Sequence, residues 1–399
     1  MRAKKEFVVL MAMMTSLMAL AIDAMLPALT QIGEDLNVKD MTNIQYIITV
    51  LFLGFGIGQV FFGPASDSVG RKKPILWGGV IFLIGCFISF GAQNLEIMIL
   101  GRFLQGFGAA SFRTISLALI RDKYEGRVMA ETMSLVMTVF ILVPVFAPAL
   151  GQLILAFFHW RMIYLSFFIL CLVVLVWFYF RQEETLKNSA RKKFSTKYLI
   201  KSTFEVLTNS TSAFAILISS LVFGGFISYL STSQQIFQNL YHVGEKFPLY
   251  FGALAIIIGL SSFTNSKLVL KFGMTSLIQY ALVAMSSSSF VFYLYLRFFH
   301  IDVPPLFLLI CFFIIFFGSV GLLFGNLNTL ALAQLGHIAG IASSVVGSLQ
   351  SLISVTIGIF IAKSFSTSLI PVIMGFSVLS LSSCFLFMFG VKKKLISYS

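Results

Sequence analysis

The sequence predicts an all-α membrane protein of twelve transmembrane helices in two six-helix bundles, and three observations carry that prediction. Of its 399 residues, 58% are hydrophobic and 11% charged, with 45 Phe and a mean hydropathy of +0.96. A soluble globular domain averages about 25% charged. Apolar runs recur at roughly the 20 residues that cross the hydrocarbon. They are unbroken rather than alternating, which excludes the strands of a β-barrel. Finally, one long polar segment, residues 181–211, divides the runs into two groups of six.

The spans run over about 7–30, 44–65, 74–93, 97–119, 129–156, 160–180, 212–237, 247–266, 274–296, 304–332, 338–362 and 367–390. They divide the chain into an N-terminal bundle of 1–180, a cytoplasmic linker of 181–211 and a C-terminal bundle of 212–399. Two such bundles are the layout of a transporter with a substrate path at their interface near the midplane. The linker reads either as a plain tether or as carrying a short amphipathic surface helix around 196–207. No other loop is long enough to form a soluble domain.

The formal net charge of +13 has a topological cause. With the N-terminus in the cytoplasm, 21 of the 28 Lys and Arg fall at inward ends, including Arg2, Lys4, Lys5, Arg71 to Lys73, and Lys192 and Lys193 of the linker. Outward ends hold Lys39, Arg161, Lys246, Arg297 and Lys363. This positive-inside bias places both termini in the cytoplasm and removes nucleic acid as an expected partner. "RAKK" followed by an apolar run and "ALA" at 19–21 imitates a signal peptide, but cleavage would leave an odd number of spans and spoil the bias. Cys86, Cys171, Cys311 and Cys384 lie in spans without metal-ligand spacing and read as small apolar residues. No Gly-Lys pair occurs, so a phosphate-binding loop is absent and energy must come from a gradient, where one charge crossing 100 mV supplies about 2.3 kcal/mol.

Asp23, in "SLMALAIDAMLPAL" at 16–29, is the one acidic residue of 15 that lies deep in a span. A carboxylate there costs roughly 2.5–3.5 kcal/mol, so it is expected to be used. Helical rise puts it ~24 Å from the inner start of span one and within ~10 Å of the outer boundary. Arg102, in span four, lies at similar depth, and the two charges are expected to pair across a polar cavity. Gln105, Gly106, Ala109 and Arg113 continue that face at helical spacing, with Arg113 roughly 16 Å deeper. If protons drive the machine, Asp23 is the natural carrier. Burial and a guanidinium act in opposite senses on its proton, so the approach of substrate or water decides whether it stays. A static buried ion pair is the alternative.

Two further stretches carry backbone signals. In "GPASDSVGRKKP" at 63–74, Gly63 and Gly70 allow a tight return between helices, Asp67 can cap a helix N-terminus, and Arg71 to Lys73 anchor the inward end. In "VPVFAPALGQ" at 143–152, Pro144, Pro148 and Gly151 share one helix, which is expected to bend because each proline removes a backbone bond. The second half has no deep charge; its polar residues, Gln234 and Asn326 among them, lie between aromatics such as Tyr229. That composition suits a wall for lipophilic compounds, often cationic or neutral. With Gln45, near Asp23 in depth, the expected cavity set is Gln45, Gln105, Tyr229, Gln234 and Asn326.

The 63–74 hairpin resembles the signature of the major facilitator superfamily between spans two and three, with its Gly, Asp, Gly, Arg, Lys order. The resemblance implies that superfamily's fold and a conformational latch of Gly63, Asp67, Gly70 and Arg71, in which the aspartate pairs with basic groups at nearby helix ends. "LGRFLQGFGAA" at 100–110 is similar to the superfamily's fourth-span motif, which places a proton-coupling arginine on Arg102 and matches Gln105 and Gly106. Asp23, Arg102 and Arg113 are the resulting proton-coupling set. The 143–152 stretch resembles the antiporter motif of drug exporters, particularly the doubled form of the bicyclomycin-resistance (Bcr/CflA) subfamily, with Val143, Phe146 and Gln152 departing from it. "DAMLPAL" at 23–29, "GFGIGQVFFGP" at 54–64, "RD" at 121–122, "WR" at 160–161 and "GIASSVVGSLQ" at 340–350 add to the match, which is dense only in the first half. Asn265 stands where the first half has Asp67, so a second latch is electrostatically weakened.

What the resemblance implies is proton-coupled efflux of small drug-like or toxic compounds by alternating access, in the bacterial cytoplasmic membrane. The implied partners are a small-molecule substrate, protons and the lipid bilayer, with no cofactor, no metal, no enzymatic activity and a monomeric state. Export of an endogenous metabolite, such as a siderophore or amino-acid derivative, and proton-symport uptake stay open. A polytopic sensor or membrane enzyme would need a soluble effector domain or a clustered His, Ser or Cys site, and the four His are scattered.

Overall fold

A computed structural model describes residues 2–191, 195–365 and 367–396; Lys192 and Lys193, counted above, lie outside the described residues. Among the described residues the backbone is helical and contains no strand. Among these residues twelve segments are long and apolar enough to cross a membrane. Each matches one expected span with ends displaced by a few residues, mostly because polar helix ends carry on past the apolar stretch, as at Val69 and Phe272.

Span one is the exception to continuity. α1 (Arg2–Asp23) gives way to a 3-10 turn, Leu26–Ala28, and then to α2 (Leu29–Asp35). Pro27 explains the break: it has no N–H, and in a continued helix its ring would clash with the carbonyl four residues earlier, which belongs to Asp23. The remaining helices of the first half are α3 (Tyr46–Val69), α4 (Lys72–Phe90), α5 (Leu95–Lys123), α6 (Gly126–Phe157) and α7 (Arg161–Arg181). α6 is a single helix with Pro144 and Pro148 inside it. The linker contains a helix, α8 (Thr196–Thr208), along which Ile200, Phe204 and Leu207 are exposed.

The second half consists of α9 (Ser210–Gln234), prolonged by a π-helical turn over Gln235–Leu240, then α10 (Phe247–Phe272), α11 (Met274–Phe298), α12 (Leu306–Leu332), α13 (Ala339–Lys363) and α14 (Ile370–Lys392). Contacts separate the chain into two compact units, Met1–Ile200 and Lys201–Ser399. In the first, α1 packs on α5, α6 and α7, α3 on α5, and α4 on α5 and α7. In the second, α9 packs on α12, α13 and α14, α10 on α12, and α11 on α12 and α14. Pair for pair the two sets coincide, so the units repeat one six-helix arrangement.

Within the first unit α5 is held between α3 and α4. Gly106 sets the α3–α5 spacing, because a Cβ there would overlap the carbonyl of Leu51. Small residues allow this backbone approach where lipid supplies no hydrophobic drive between helices. Gly106→Val is expected to destabilise the purified protein by about 1–3 kcal/mol, the usual cost of overpacking. Its thermal unfolding in detergent should shift downward relative to wild type; an unchanged midpoint would refute the contact.

Candidate functional site

The inward hairpin is built around Arg71 rather than around its aspartate. Arg71 Nη1 donates to Asp67 Oδ1 at 2.5 Å and to Ser66 Oγ at 2.9 Å, and Nε donates to Asp122 Oδ2 at 2.8 Å. Asp122, from the inner end of α5, also accepts from the Thr185 hydroxyl at 2.9 Å. Glu184 completes the cluster through its two oxygens, accepting the backbone N–H of Arg71 at 2.8 Å and of Lys72 at 3.1 Å. It thus caps α4, whose own N-cap residue supplies no side-chain cap, and places negative charge where the helix dipole favours it. Gly70 makes this possible: its φ is +99°, and a Cβ there would overlap the Glu184 carboxylate.

Burial works against the Arg71 charge, but hydrogen bonds to Asp122 and Asp67 outweigh it and hold the guanidinium above the usual arginine pKa. Burial likewise opposes ionised Glu184, yet the N–H groups of Arg71, Leu186 and Lys72 and the charge of Arg191 keep its carboxyl below the ordinary value. Two expectations are corrected here. Gly63 lies inside α3 and takes no part in the turn; its carbonyl accepts the Ser66 hydroxyl at 2.8 Å. Asp67 is in the last turn of α3 and caps no N-terminus, because that task falls to Glu184.

Deeper in the first unit, Asp23 occupies the end of α1 and is 4% exposed. It is the only buried carboxylate among the described residues. A helix C-terminus presents carbonyls, not N–H groups, so the local backbone offers this side chain no donors. Beside it, Gly151 of α6 meets the backbone of Ala24 so closely that a Cβ would overlap the Ala24 carbonyl. The glycine of the span-five stretch therefore seats the break that follows Asp23.

Arg102 is fully buried. Nε donates to the carbonyl of Ile47 in α3 at 2.9 Å, and Nη1 donates to Gln105 Oε1 at 2.6 Å. The Gln105 amide donates in turn to Ser89 Oγ of α4 at 3.2 Å. Nη2 has no partner among the described residues. The Arg102 guanidinium lies 5.9 Å from the ring centroid of Tyr164 in α7, whose hydroxyl reaches Met25 Sδ at 3.5 Å. The expected Asp23–Arg102 ion pair does not form among the described residues. Arg102 has turned to a backbone carbonyl and a side-chain amide instead, and Tyr164 stands next to both Arg102 and the turn after Asp23.

Of the expected cavity set, Gln45, Gln105, Tyr229, Gln234 and Asn326 are all buried. Gln105 serves Arg102, as above. Gln234 donates to Gln238 Oε1 at 2.8 Å. The Tyr229 ring packs at 4.6 Å from Phe317, 5.2 Å from Phe313 and 5.8 Å from Phe251. Asn326 and Asn265 exchange amide hydrogen bonds of 2.8 and 3.2 Å between α12 and α10. Asn265 lies about two turns before the end of α10 at Phe272, whereas Asp67 is in the last turn of α3, so Asn265 does not take the place of Asp67. Arg113 lies farther along α5 between aromatic rings of α3 and α6.

The residues missed in the sequence are Asp122, Glu184, Ser89 and Tyr164. Only Asp122 carried a signal, as part of the "RD" pair at 121–122. The others act on partners remote in the chain.

A family model described as Major Facilitator Superfamily matches residues 11–359. The "Uncharacterized MFS-type transporter YdgK" of Bacillus subtilis is 29% identical over 360 residues, covering 88% of each chain. The "Bicyclomycin resistance protein homolog" of Haemophilus influenzae is 25% identical over 358 residues, covering 90% of this chain and 89% of its own. Among solved structures, that of a D-xylose-proton symporter superposes with a TM-score of 0.76 over 96% of each chain at 13% identity, a likeness of fold alone.

The Glu184 cap has a pH signature. Because its folded pKa lies below the ordinary 4.5, its stabilisation is complete above that value and is lost as pH falls through the lower folded value. Hydrogen exchange at the Arg71 and Lys72 amides should therefore be slow at neutral pH and gain rate, relative to the intrinsic rate, in acid below 4.5. In Glu184→Gln the same amides should exchange faster already at neutral pH; equal protection in both proteins would remove the cap.

Proposed function

This chain belongs to the Major Facilitator Superfamily, and on that premise we propose that it exports small drug-like or toxic compounds across the bacterial cytoplasmic membrane in exchange for protons. The observation that carries this reading is Asp23: a buried carboxyl at a broken helix end, without ion pair or hydrogen bond among the described residues. A carboxyl with no donor of its own has its charge state set by what enters beside it, which is what an exchange of proton for substrate requires. Arg102 supports the role, since it is held by Ile47 and Gln105 with one nitrogen uncommitted, and it can answer Asp23 when the proton leaves.

The name of the Haemophilus influenzae relative supports a drug-like substrate class, and the span-five resemblance supports exchange over uptake. In the alternating-access cycle, Arg71 with Asp67 and Asp122 acts as the latch that holds one access state, and α6 transmits the state of the Asp23 turn through the Gly151–Ala24 contact. The positive-inside bias supports cytoplasmic placement of both termini.

The test is proton release from purified, weakly buffered protein when a compound selected by a growth-inhibition panel is added. Wild type should release protons, Asp23→Asn should release none, and Arg102→Ala should release fewer. Normal release by Asp23→Asn would assign the proton to another group. Cells expressing the wild-type chain should tolerate higher concentrations of at least one compound of the panel; no difference across the panel would remove the drug-export reading.

A further inference from the structure

Arg113 lies well inside α5, about 15 Å along the helix from the inner end at Lys123. Its guanidinium is 5.3 Å from the ring centroid of Phe140 in α6 and 5.9 Å from that of Phe55 in α3. Among the described residues it makes no hydrogen bond and no ion pair. Rings attract a guanidinium through its faces, while its N–H donors lie in its plane at the edges. The donors are thus left without a partner from the chain, on a side chain that is only half-buried and so can be reached.

A second observation points the same way. One turn along α5, the hydroxyl of Ser116 is buried and bonds to nothing among the described residues. Residues three apart share a helix face, so Ser116 stands on the side of Arg113. The charge balance agrees: among the described residues, the interior spans of this unit hold the guanidiniums of Arg102 and Arg113 against the single buried carboxyl of Asp23. A positive group kept in hydrocarbon without a protein partner marks a ligand path.

We propose that Arg113 is a substrate-recognition residue for a carboxylate or comparable oxyanion carried on an aromatic or apolar body, with Ser116 as the adjoining hydrogen-bond donor. The fork of the guanidinium matches two carboxylate oxygens, and the Phe55 and Phe140 rings offer apolar surface beside it. This assignment rests on the export reading and sharpens it. It takes Arg113 out of the proton-coupling set and replaces the cationic or neutral substrates suggested by composition with acidic ones, because a fixed guanidinium repels a cation.

The experiment uses the full chain in lipid nanodiscs and three probes of one shape: 1-naphthoate, the neutral 1-naphthamide and 1-naphthylmethylammonium. Affinities are measured calorimetrically for wild type, Arg113→Gln, Arg113→Lys and Ser116→Ala, with a thermal unfolding curve for each. Wild type should bind the acid at least ~tenfold tighter than the amide, as charge-assisted hydrogen bonds allow. Arg113→Gln should abolish that preference and leave amide binding within ~twofold, Arg113→Lys should keep part of it, and Ser116→Ala should reduce it. Wild type that binds the acid no better than the amide, or not at all while folded, overturns the proposal, as does a preference that survives in folded Arg113→Gln. Should that variant unfold, a full acid preference in Arg113→Ala, or an Arg113→Lys preference equal to wild type together with an unchanged Ser116→Ala, overturns it. Transport by everted vesicles under a pH gradient separates the two readings: charge-selective binding without gradient-driven movement of any probe or panel compound sinks the export reading and leaves the Arg113 site standing.

Discussion

A charge inside hydrocarbon has no water to answer it, and the first unit is organised around three such charges, each met differently. Arg102 is met by polar groups of the protein: the Ile47 carbonyl, the Gln105 amide oxygen and the face of Tyr164. Arg113 is met by two aromatic faces and keeps its donors. Asp23 is met by nothing that donates among the described residues, at the end of a helix that a proline stops. In a solvated protein these differences would be blurred by water. In a membrane they decide which group is fixed in place and which must wait for a visitor.

The fixed group is held by packing as much as by hydrogen bonds. Arg102 and Gly106 are one turn apart on α5, and their contacts on α3, Ile47 and Leu51, are also one turn apart. Because Gly106 has no Cβ, the two helices come close enough for a side chain to reach a main-chain carbonyl on its neighbour. The same device recurs at Gly151, which brings α6 against the turn after Asp23. Small residues therefore do more than fill space: they set the distance at which polar atoms meet.

The two units repeat the same helix contacts but not the same electrostatics. In the first, the hairpin after α3 carries Arg71, two aspartates and the Glu184 cap. In the second, α10 and α12 are joined by the neutral amide bonds that Asn265 trades with Asn326. A neutral pair is little changed by salt or pH, whereas a charged cluster responds to both. Fold and charge have thus separated along the chain. The first unit carries Asp23, Arg102 and Arg113 within its spans, and the second supplies aromatic packing around Tyr229.

The sequence by itself determined the twelve spans and put Asp23 and Arg102 within the first and fourth of them, because apolar length is a local quantity that follows from composition and spacing. It also held the cause of the break in span one, Pro27 four residues after Asp23, although a hydropathy run conceals it. Only the tertiary structure decided which groups meet. Arg71 finds Asp122 51 residues away and Glu184 113 residues away; Arg102 turns from Asp23 toward Ile47; Gly63 lies within a helix that continues past it. Such choices depend on where one helix faces another and how near a missing Cβ lets it come, and neither distance nor direction between remote residues is written in the order of the chain.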